Sequence, residues 1–112
     1  MSYLIIGASL NPESHSQILA EQAQQLLKAQ GQEAQWLDLR EFTLPLCDGS
    51  SAYGHPHVSS LAETVSQAEG ILVATPIYNY DVNAAIKNFL ELTGKSWQEK
   101  IVGFLCAAGG QG

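Results

Sequence analysis

The segment that follows the first apolar run of the chain contains three serines whose spacing could bind an anion. Ser9, Ser14 and Ser16 place hydroxyl groups beside the backbone amides of a helix start, and such donors suit a phosphate group. The same residues also fit an Asn-Pro turn followed by helix caps, and for an isolated loop we favour that interpretation. Taken alone, the segment is a weak indication of a phosphate site.

Two further segments place aromatic or small residues directly after apolar runs. Residues 75–83 read TPIYNYDVN, in which two tyrosines and a proline offer flat apolar surface to a ring, while backbone amides offer hydrogen bonds to its polar edge. Residues 107–112 read AAGGQG, where the glycines permit close approach of the backbone to a ligand. A bare Tyr-x-Tyr or a bare GGxG is more simply a turn, so the position of each segment decides its meaning.

Short apolar runs alternate with helical periodicity along the chain, which predicts βαβ units and a parallel sheet. The four predicted strands are Tyr3 to Ile6, Ala34 to Leu39, Ile71 to Ala74 and Ile101 to Cys106. The first predicted helix runs from about Ser14 to Gln30, with an apolar face of Leu19, Ala23, Leu26 and Leu27. A long loop from Arg40 to Val58 precedes a helix through Leu61, Ala62 and Val65. The third helix carries, at core spacing, Val82, Ile86, Phe89 and Leu90.

The three segments follow the first, third and fourth predicted strands. In open parallel sheets, ligands bind outside the carboxyl ends of the strands, at the point where the strand order reverses. We therefore expect the three segments to meet around one ligand.

The second segment, together with the helical residues 84–90, closely resembles the TPxYNY region of the NADPH-dependent FMN reductase family. That family also includes azo-dye, quinone and chromate reductases. The serines of the first segment match its phosphate-loop pattern, and residues 107–112 look like its small-residue segment. The resemblance covers essentially the whole chain. It implies a flavodoxin-like α/β fold, a doubly wound parallel sheet of order 2-1-3-4, formed by one partial domain over residues 1–112.

The resemblance implies that FMN and NADPH are the cofactors. The residues implied to surround the phosphate are Ser9, Asn11, Ser14, His15 and Ser16. Those implied to surround the flavin ring are Pro76, Ile77, Tyr78, Asn79, Tyr80, Ala108, Gly109 and Gly110. The family often has an arginine at the position of Asn11, and because this loop contains no Arg or Lys, protonated His15 is the candidate for positive charge.

The activity implied by the resemblance is hydride transfer from NADPH through FMN to a small acceptor, namely a quinone, an azo compound, a metal ion or a flavin. No catalytic side chain is nominated, because this transfer needs stacking and orientation of the flavin rather than a protein nucleophile or base. One alternative is a flavodoxin-type single-electron carrier, whose acidic surface would suit basic partner proteins. Another is an inactive truncated remnant. The family also implies a homo-oligomer, either a dimer or a tetramer.

Composition restricts the classes of partner. Eleven acidic residues against five basic ones give a net charge of −6, which opposes attraction to nucleic acid or to an anionic membrane. The chain has neither a basic leader nor a long apolar run, and the widely separated Cys47 and Cys106 suggest neither a disulfide nor a zinc site. We expect a cytoplasmic protein in which Cys106 is a buried thiol. We also expect that His55 and His57 are exposed loop residues rather than metal ligands.

The last predicted strand, Ile101 to Cys106, is apolar at nearly every position and is therefore expected inside a sheet. No fifth strand and no final helices follow it. Right-handed crossovers would leave the third and fourth strands bare on the face that carries the first helix. Since an unpaired apolar edge promotes association, we expect either a missing C-terminal portion or completion by another chain.

Overall fold

The computed structural model describes residues 2–11, 15–78 and 81–108. In chain order its strands and helices are β1 (Ser2–Gly7), α1 (His15–Ala29), β2 (Glu33–Asp38), α2 (Pro56–Gln67), β3 (Gly70–Tyr78), β4 (Asp81–Val82), α3 (Ala84–Thr93) and β5 (Ile101–Ala108). Short 3-10 turns occupy Leu39–Glu41, Ser51–Gly54 and Gly94–Trp97. Within the described part of the chain, no helix is both long enough and apolar enough to cross a membrane.

The four long strands form a parallel sheet. β1 pairs with β2 on one side and with β3 on the other, and β5 pairs with the far side of β3. The order β2-β1-β3-β5 confirms the predicted order 2-1-3-4 and the flavodoxin-like fold, with β5 as the fourth predicted strand. The additional strand, β4, is a two-residue antiparallel return that pairs Val82 with Ile77 and Asp81 with Tyr78.

The alternation of side chains along β1 divides the core into two layers. Leu4 and Ile6 point to the face covered by α2 and α3, where they share a buried cluster with Leu61 and Phe89. Ile5 points to the opposite face and packs with Ala20 of α1. Helices on both faces are the arrangement that right-handed crossovers between parallel strands produce.

Several predicted boundaries were wrong, chiefly at the edge of the sheet where ligands are expected. β3 continues past Ala74 to Tyr78, and β5 continues past Cys106 to Ala108, because the ladder between them extends this far. Val82 belongs to β4 instead of the third helix. α2 begins at Pro56, inside the predicted loop, since proline is well suited to the first turn of a helix.

The predicted apolar face of α1 was wrong at Leu19 and Leu26, whereas Ala23 and Leu27 are half-buried. Ser16 and Ala20 are the buried residues of this helix, whereas Leu19 is exposed and Leu26 is 65% exposed. Leu27 is half-buried against the cluster that contains Ile5. Small side chains let the helix approach the sheet closely, so the residues facing the sheet are not the largest apolar ones.

The outer strand β5 is less covered than an interior strand, and its exposed face differs from the predicted one. Its register places Val102 and Phe104 beside Ile71 and Val73, on the face that carries α2 and α3. Phe104 is nevertheless 50% exposed. Leu105 lies on the α1 face and is half-buried there. This face of β5 is therefore partly covered, whereas the sequence predicted it to be bare.

Cys106 of the same strand is exposed, so the prediction of a buried thiol was wrong. The register places Cys106 beside Thr75, on the same face of β5 as Phe104. The buried side chains of α3, such as Phe89, pack over β1 and β3 rather than over this edge.

Candidate functional site

The carboxyl ends of β1, β3 and β5 meet at one edge of the sheet. Gly7 pairs with Ala74, and the N–H of Ala8 then donates to the Ala74 carbonyl at 2.9 Å, so the loop after β1 leaves the sheet alongside β3. On the other side of β3, Pro76 pairs with Ala107. The structure thus brings together the starting points of all three segments singled out from the sequence.

The Ser9 side chain forms hydrogen bonds with the backbone of the loop that follows β1. Its side chain is buried, and its Oγ accepts a hydrogen bond from the Asn11 N–H at 3.1 Å. The same hydroxyl lies 3.5 Å from the Asn11 carbonyl, to which it donates. Ser9 therefore fixes the path of the backbone through this loop, while Asn11 itself is exposed.

The first turn of α1 carries the other residues predicted to bind phosphate. His15 is the first residue of the helix and is exposed, whereas Ser16 is buried. The first N–H groups of a helix have no partner within it, so they can bind a ligand at this position. Ser14 lies outside the described residues, and its predicted role stays a prediction.

The TPIYNYDVN segment is a hairpin at the end of β3. β3 extends to Tyr78 and the chain returns as β4 from Asp81; Asn79 and Tyr80 between them lie outside the described residues. Ile77 pairs with Val82 on one side and with Ala108 on the other. The backbone of the predicted ring segment is thereby placed beside Ala108 of the third segment, whose Gly109 and Gly110 lie beyond the described residues.

Asn83 connects two of these segments, a role that the sequence did not predict. The side chain is buried; its Nδ2 donates to the Ala8 carbonyl at 2.7 Å, and its Oδ1 accepts from the Ile86 N–H at 3.1 Å as the N-cap of α3. Its backbone N–H also lies 3.5 Å from the Thr75 hydroxyl. An Asn before an apolar helical run signals an N-cap, but no local pattern indicates the bond to Ala8.

An exposed ion pair ties the hairpin to the helix that follows it. The Lys87 Nζ lies 2.7 Å from Oδ2 of Asp81. A hydrogen bond from Lys87 and a second from the Val82 N–H lower the pKa of Asp81 below its ordinary value. Because both side chains are exposed, this pair orients the hairpin more than it stabilises the fold.

A buried carboxylate lies at the end of β2, where the sequence suggested no function. Oδ2 of Asp38 accepts from Nη2 of Arg40 at 2.8 Å and from Nε2 of Gln17 at 3.1 Å. Burial acts to raise the pKa of Asp38, but hydrogen bonds from the Arg40 side chain and backbone and from Gln17 outweigh it, so the pKa lies below the ordinary value. Gln17 lies 21 positions before Asp38, and no sequence motif links it to Asp38 and Arg40. Their association is visible only in the folded structure.

The two histidines at the start of α2 have a structural role, and they are not both exposed loop residues as predicted: His55 is the half-buried N-cap and His57 is an exposed residue of the first helical turn. Nδ1 of His55 accepts from the His57 N–H at 3.1 Å, which caps the helix, and the two rings are 5.1 Å apart. His57 also meets the ring of Phe42 edge to face. The described residues contain no group of three His, Cys, Asp or Glu side chains able to hold a metal ion.

Comparison with known proteins places this geometry in a family. The family model for NADPH-dependent FMN reductase matches residues 1–112. An FMN reductase (NADPH) of Pseudomonas putida is 34% identical over 93 residues, which cover 82% of this chain and 46% of that protein. An FMN-dependent NADH:quinone oxidoreductase of Shewanella frigidimarina is 30% identical over 108 residues, which cover 83% of this chain and 55% of that protein.

Solved structures support the fold. A flavoenzyme NAD(P)H:(acceptor) oxidoreductase from Paracoccus denitrificans superposes with a TM-score of 0.80 at 22% identity, over 98% of this chain and 62% of that one. The chain spans about half the length of the curated relatives it matches. With the family model matched from the first residue to the last, this chain belongs to the NADPH-dependent FMN reductase family.

Proposed function

We propose that this chain forms the FMN site of an NAD(P)H-dependent oxidoreductase that passes hydride from NADPH to a small acceptor. The observation that carries the proposal is the meeting of three segments at one edge of the sheet, where the loop after β1, the β3–β4 hairpin and the end of β5 lie side by side. Family membership supplies the cofactor chemistry that this edge would serve.

The residues at this edge fit FMN, which has a phosphate at one end and a flat ring at the other. The first turn of α1 offers backbone N–H groups that have no carbonyl partner within the helix. The end of β3 offers Pro76, which is buried beside Ala107, and Ile77, which is half-buried beside Ala108. A donor-rich loop and an apolar hairpin on adjacent strands suit such an amphiphilic ligand.

Bound FMN supplies the hydride-accepting and hydride-donating chemistry. In our proposal, the protein's own residues bind and orient the ring and keep water from one side of it. The hairpin residues Tyr78, Asn79 and Tyr80 contribute aromatic surface and backbone N–H groups, while Gly109 and Gly110 permit close approach of the backbone. No side chain is required to act as an acid or a base.

The finer parts of the proposal follow the family resemblance. The acceptor is a quinone, an azo compound, a metal ion or a free flavin, and the active form is a cytoplasmic homo-oligomer, whose size light scattering would measure. The competing functions are a single-electron carrier and an inactive remnant. Sustained oxidation of NADPH separates the reductase from both, because the carrier needs a partner protein and the remnant turns over nothing.

The experiment that tests the proposal is an FMN titration of the purified chain, followed by anaerobic addition of NADPH. We expect saturable quenching of flavin fluorescence and then bleaching of the yellow flavin absorbance. Failure of well-folded protein to bind FMN would refute the proposal and favour the remnant. Binding without bleaching by NADPH would favour the carrier.

Replacing Tyr78 and Tyr80 together with alanine should weaken FMN binding by about tenfold or more. Stacking on each tyrosine ring contributes about 1 kcal/mol, and a loss of about 1.4 kcal/mol already lowers affinity tenfold. The dissociation constant is measured by fluorescence quenching. Tyr3→Ala is the matched control: Tyr3 lies near the amino end of β1, packed against Gly70, so its loss should leave FMN affinity unchanged. Equal affinities of the double variant and the control would contradict the assignment of the hairpin.

His15→Ala should weaken FMN binding, because the exposed imidazole at the start of α1 can donate a hydrogen bond to the phosphate. The dissociation constants of wild type and variant are compared by fluorescence quenching, with His57→Ala in α2 as the control. Identical affinities of wild type and His15→Ala would refute a role for this side chain.

A further inference from the structure

We infer that Gln17, Asp38 and Arg40 form a positioning network that holds the first turn of α1 as the phosphate-binding cradle. The inference rests on the proposed function and extends it to residues outside the three segments. The three side chains come from α1, from the last position of β2 and from the 3-10 turn after it.

Each of the three side chains forms hydrogen bonds with the other two. Gln17 uses both ends of its amide: Nε2 donates to Oδ2 of Asp38 at 3.1 Å, and Oε1 accepts from Nη2 of Arg40 at 3.0 Å. Arg40 binds the carboxylate through Nε and Nη2, and its backbone N–H donates to Oδ1 at 2.9 Å. A glutamine fixed at both amide atoms has little freedom left, so the backbone that carries it is held as well.

The position of Gln17 gives this restraint its function. Gln17 is the third residue of α1, in the first turn of the helix, whose N–H groups are the ones that a phosphate bound at this helix start would contact. Its hydrogen-bond partner Asp38 is the last residue of β2, and it pairs with Gly7 at the end of β1. The network thus joins the helix start to the strand from which the phosphate loop departs.

Charge explains why an arginine is part of the network. Asp38 is a buried carboxylate at the same edge of the sheet as the proposed phosphate, and an uncompensated negative charge there would repel the ligand. Of the five basic residues in the chain, Lys28 lies in the last turn of α1, and Lys87, Lys95 and Lys100 lie in or after α3. Arg40 is therefore the basic residue placed to neutralise Asp38.

The principal test compares FMN with riboflavin, which has the same ring and no phosphate. Gln17→Ala should weaken FMN binding by about fivefold, the value of roughly one hydrogen bond, and leave riboflavin binding unchanged. Alanine favours helix, so the variant should fold. Gln24→Ala is the matched control, because Gln24 also bonds α1 to β2, through the Ala34 carbonyl at 3.0 Å, but two turns further along. It should change neither affinity.

A second variant separates positioning from charge. Asp38→Asn makes the chain more positive by one unit, so a purely electrostatic role predicts tighter FMN binding. Positioning predicts weaker FMN binding, because the amide cannot hold Arg40 and Gln17 as the carboxylate does. Tighter binding by this variant, or equal losses of FMN and riboflavin affinity in Gln17→Ala, would overturn the inference.

Amide hydrogen exchange tests the network without any flavin. Gln17→Ala should speed exchange of the amides of residues 19–22, which bond to the carbonyls of the first turn, severalfold, while Gln24→Ala should leave them as in wild type. Unchanged exchange in Gln17→Ala would overturn the inference. If wild type binds neither flavin, the proposed function fails, whereas FMN binding that Gln17→Ala does not alter refutes the network alone.

Discussion

Replacing Asn83 with alanine should lower the free energy of unfolding by about 2–4 kcal/mol. The variant loses the N-cap of α3, which contributes about 1 kcal/mol, and leaves the buried carbonyl of Ala8 without its donor at 2.7 Å, which costs about 1–3 kcal/mol. Because the same side chain joins the loop after β1 to the start of α3, FMN affinity should fall as well.

Urea denaturation followed by tryptophan fluorescence measures the loss of stability. Asn83→Ser keeps an N-cap acceptor for the Ile86 N–H but is too short to reach the Ala8 carbonyl, so it should show an intermediate loss. Asn88→Ala is the matched control for binding: Asn88 also makes two backbone bonds, to Pro45 and Cys47, in a loop outside the three segments. If both alanine variants lowered FMN affinity equally, Asn83 would have no special role at the site.

Replacing Arg40 with alanine should destabilise the protein by about 1–3 kcal/mol at pH 7, because it removes side-chain donors and the compensating charge from the buried carboxylate of Asp38. In wild type, burial raises the pKa of Asp38, but the bonds from Arg40 and Gln17 lower it further than burial raises it. A lowered pKa stabilises the fold above the ordinary carboxyl pKa of about 4, and this contribution is lost as the pH falls below that value.

Without the Arg40 side chain, the pKa of Asp38 rises above its wild-type value, because only the backbone N–H of residue 40 and Gln17 then oppose the effect of burial. The difference in stability between wild type and variant should therefore be largest at neutral pH. It should shrink as the pH falls through the pKa of the variant and then through the lowered pKa of wild type. Urea denaturation at pH 7 and pH 3.5 measures it. Lys87→Ala, which breaks the exposed pair with Asp81, should cost less than about 1 kcal/mol. A cost of Arg40→Ala that does not depend on pH would exclude Asp38 as its origin.

Much of the fold could be predicted because its signals are local. The continuous apolar run Leu4, Ile5 and Ile6 indicates a strand covered on both faces, and turn residues mark the connections between elements. The strand order was implied by the family resemblance, and the handedness of crossovers then places helices on both faces of the sheet. The three segments could be placed at one edge because the carboxyl ends of parallel strands lie together.

Features that depend on the distance between elements could not be predicted. The face of α1 was wrong because Ser16 and Ala20 let the helix approach the sheet, and only the packed structure shows that Leu26 then remains exposed. The exposure of Cys106 depends on how far α3 reaches across the sheet. The extension of β3 to Tyr78 depends on its pairing with β4 and β5.

The family could be recognised from the sequence alone, and with it the strand order and the segments that carry the proposed flavin chemistry, because motifs and hydrophobic periodicity are properties of short stretches of chain. How the site is held could not be predicted, because it depends on contacts between distant residues. Asn83 reaches Ala8 across 75 positions, and Gln17 reaches Asp38 across 21. A hydrogen bond between distant residues acts over about 3 Å, so it exists only once folding has set the position of both partners.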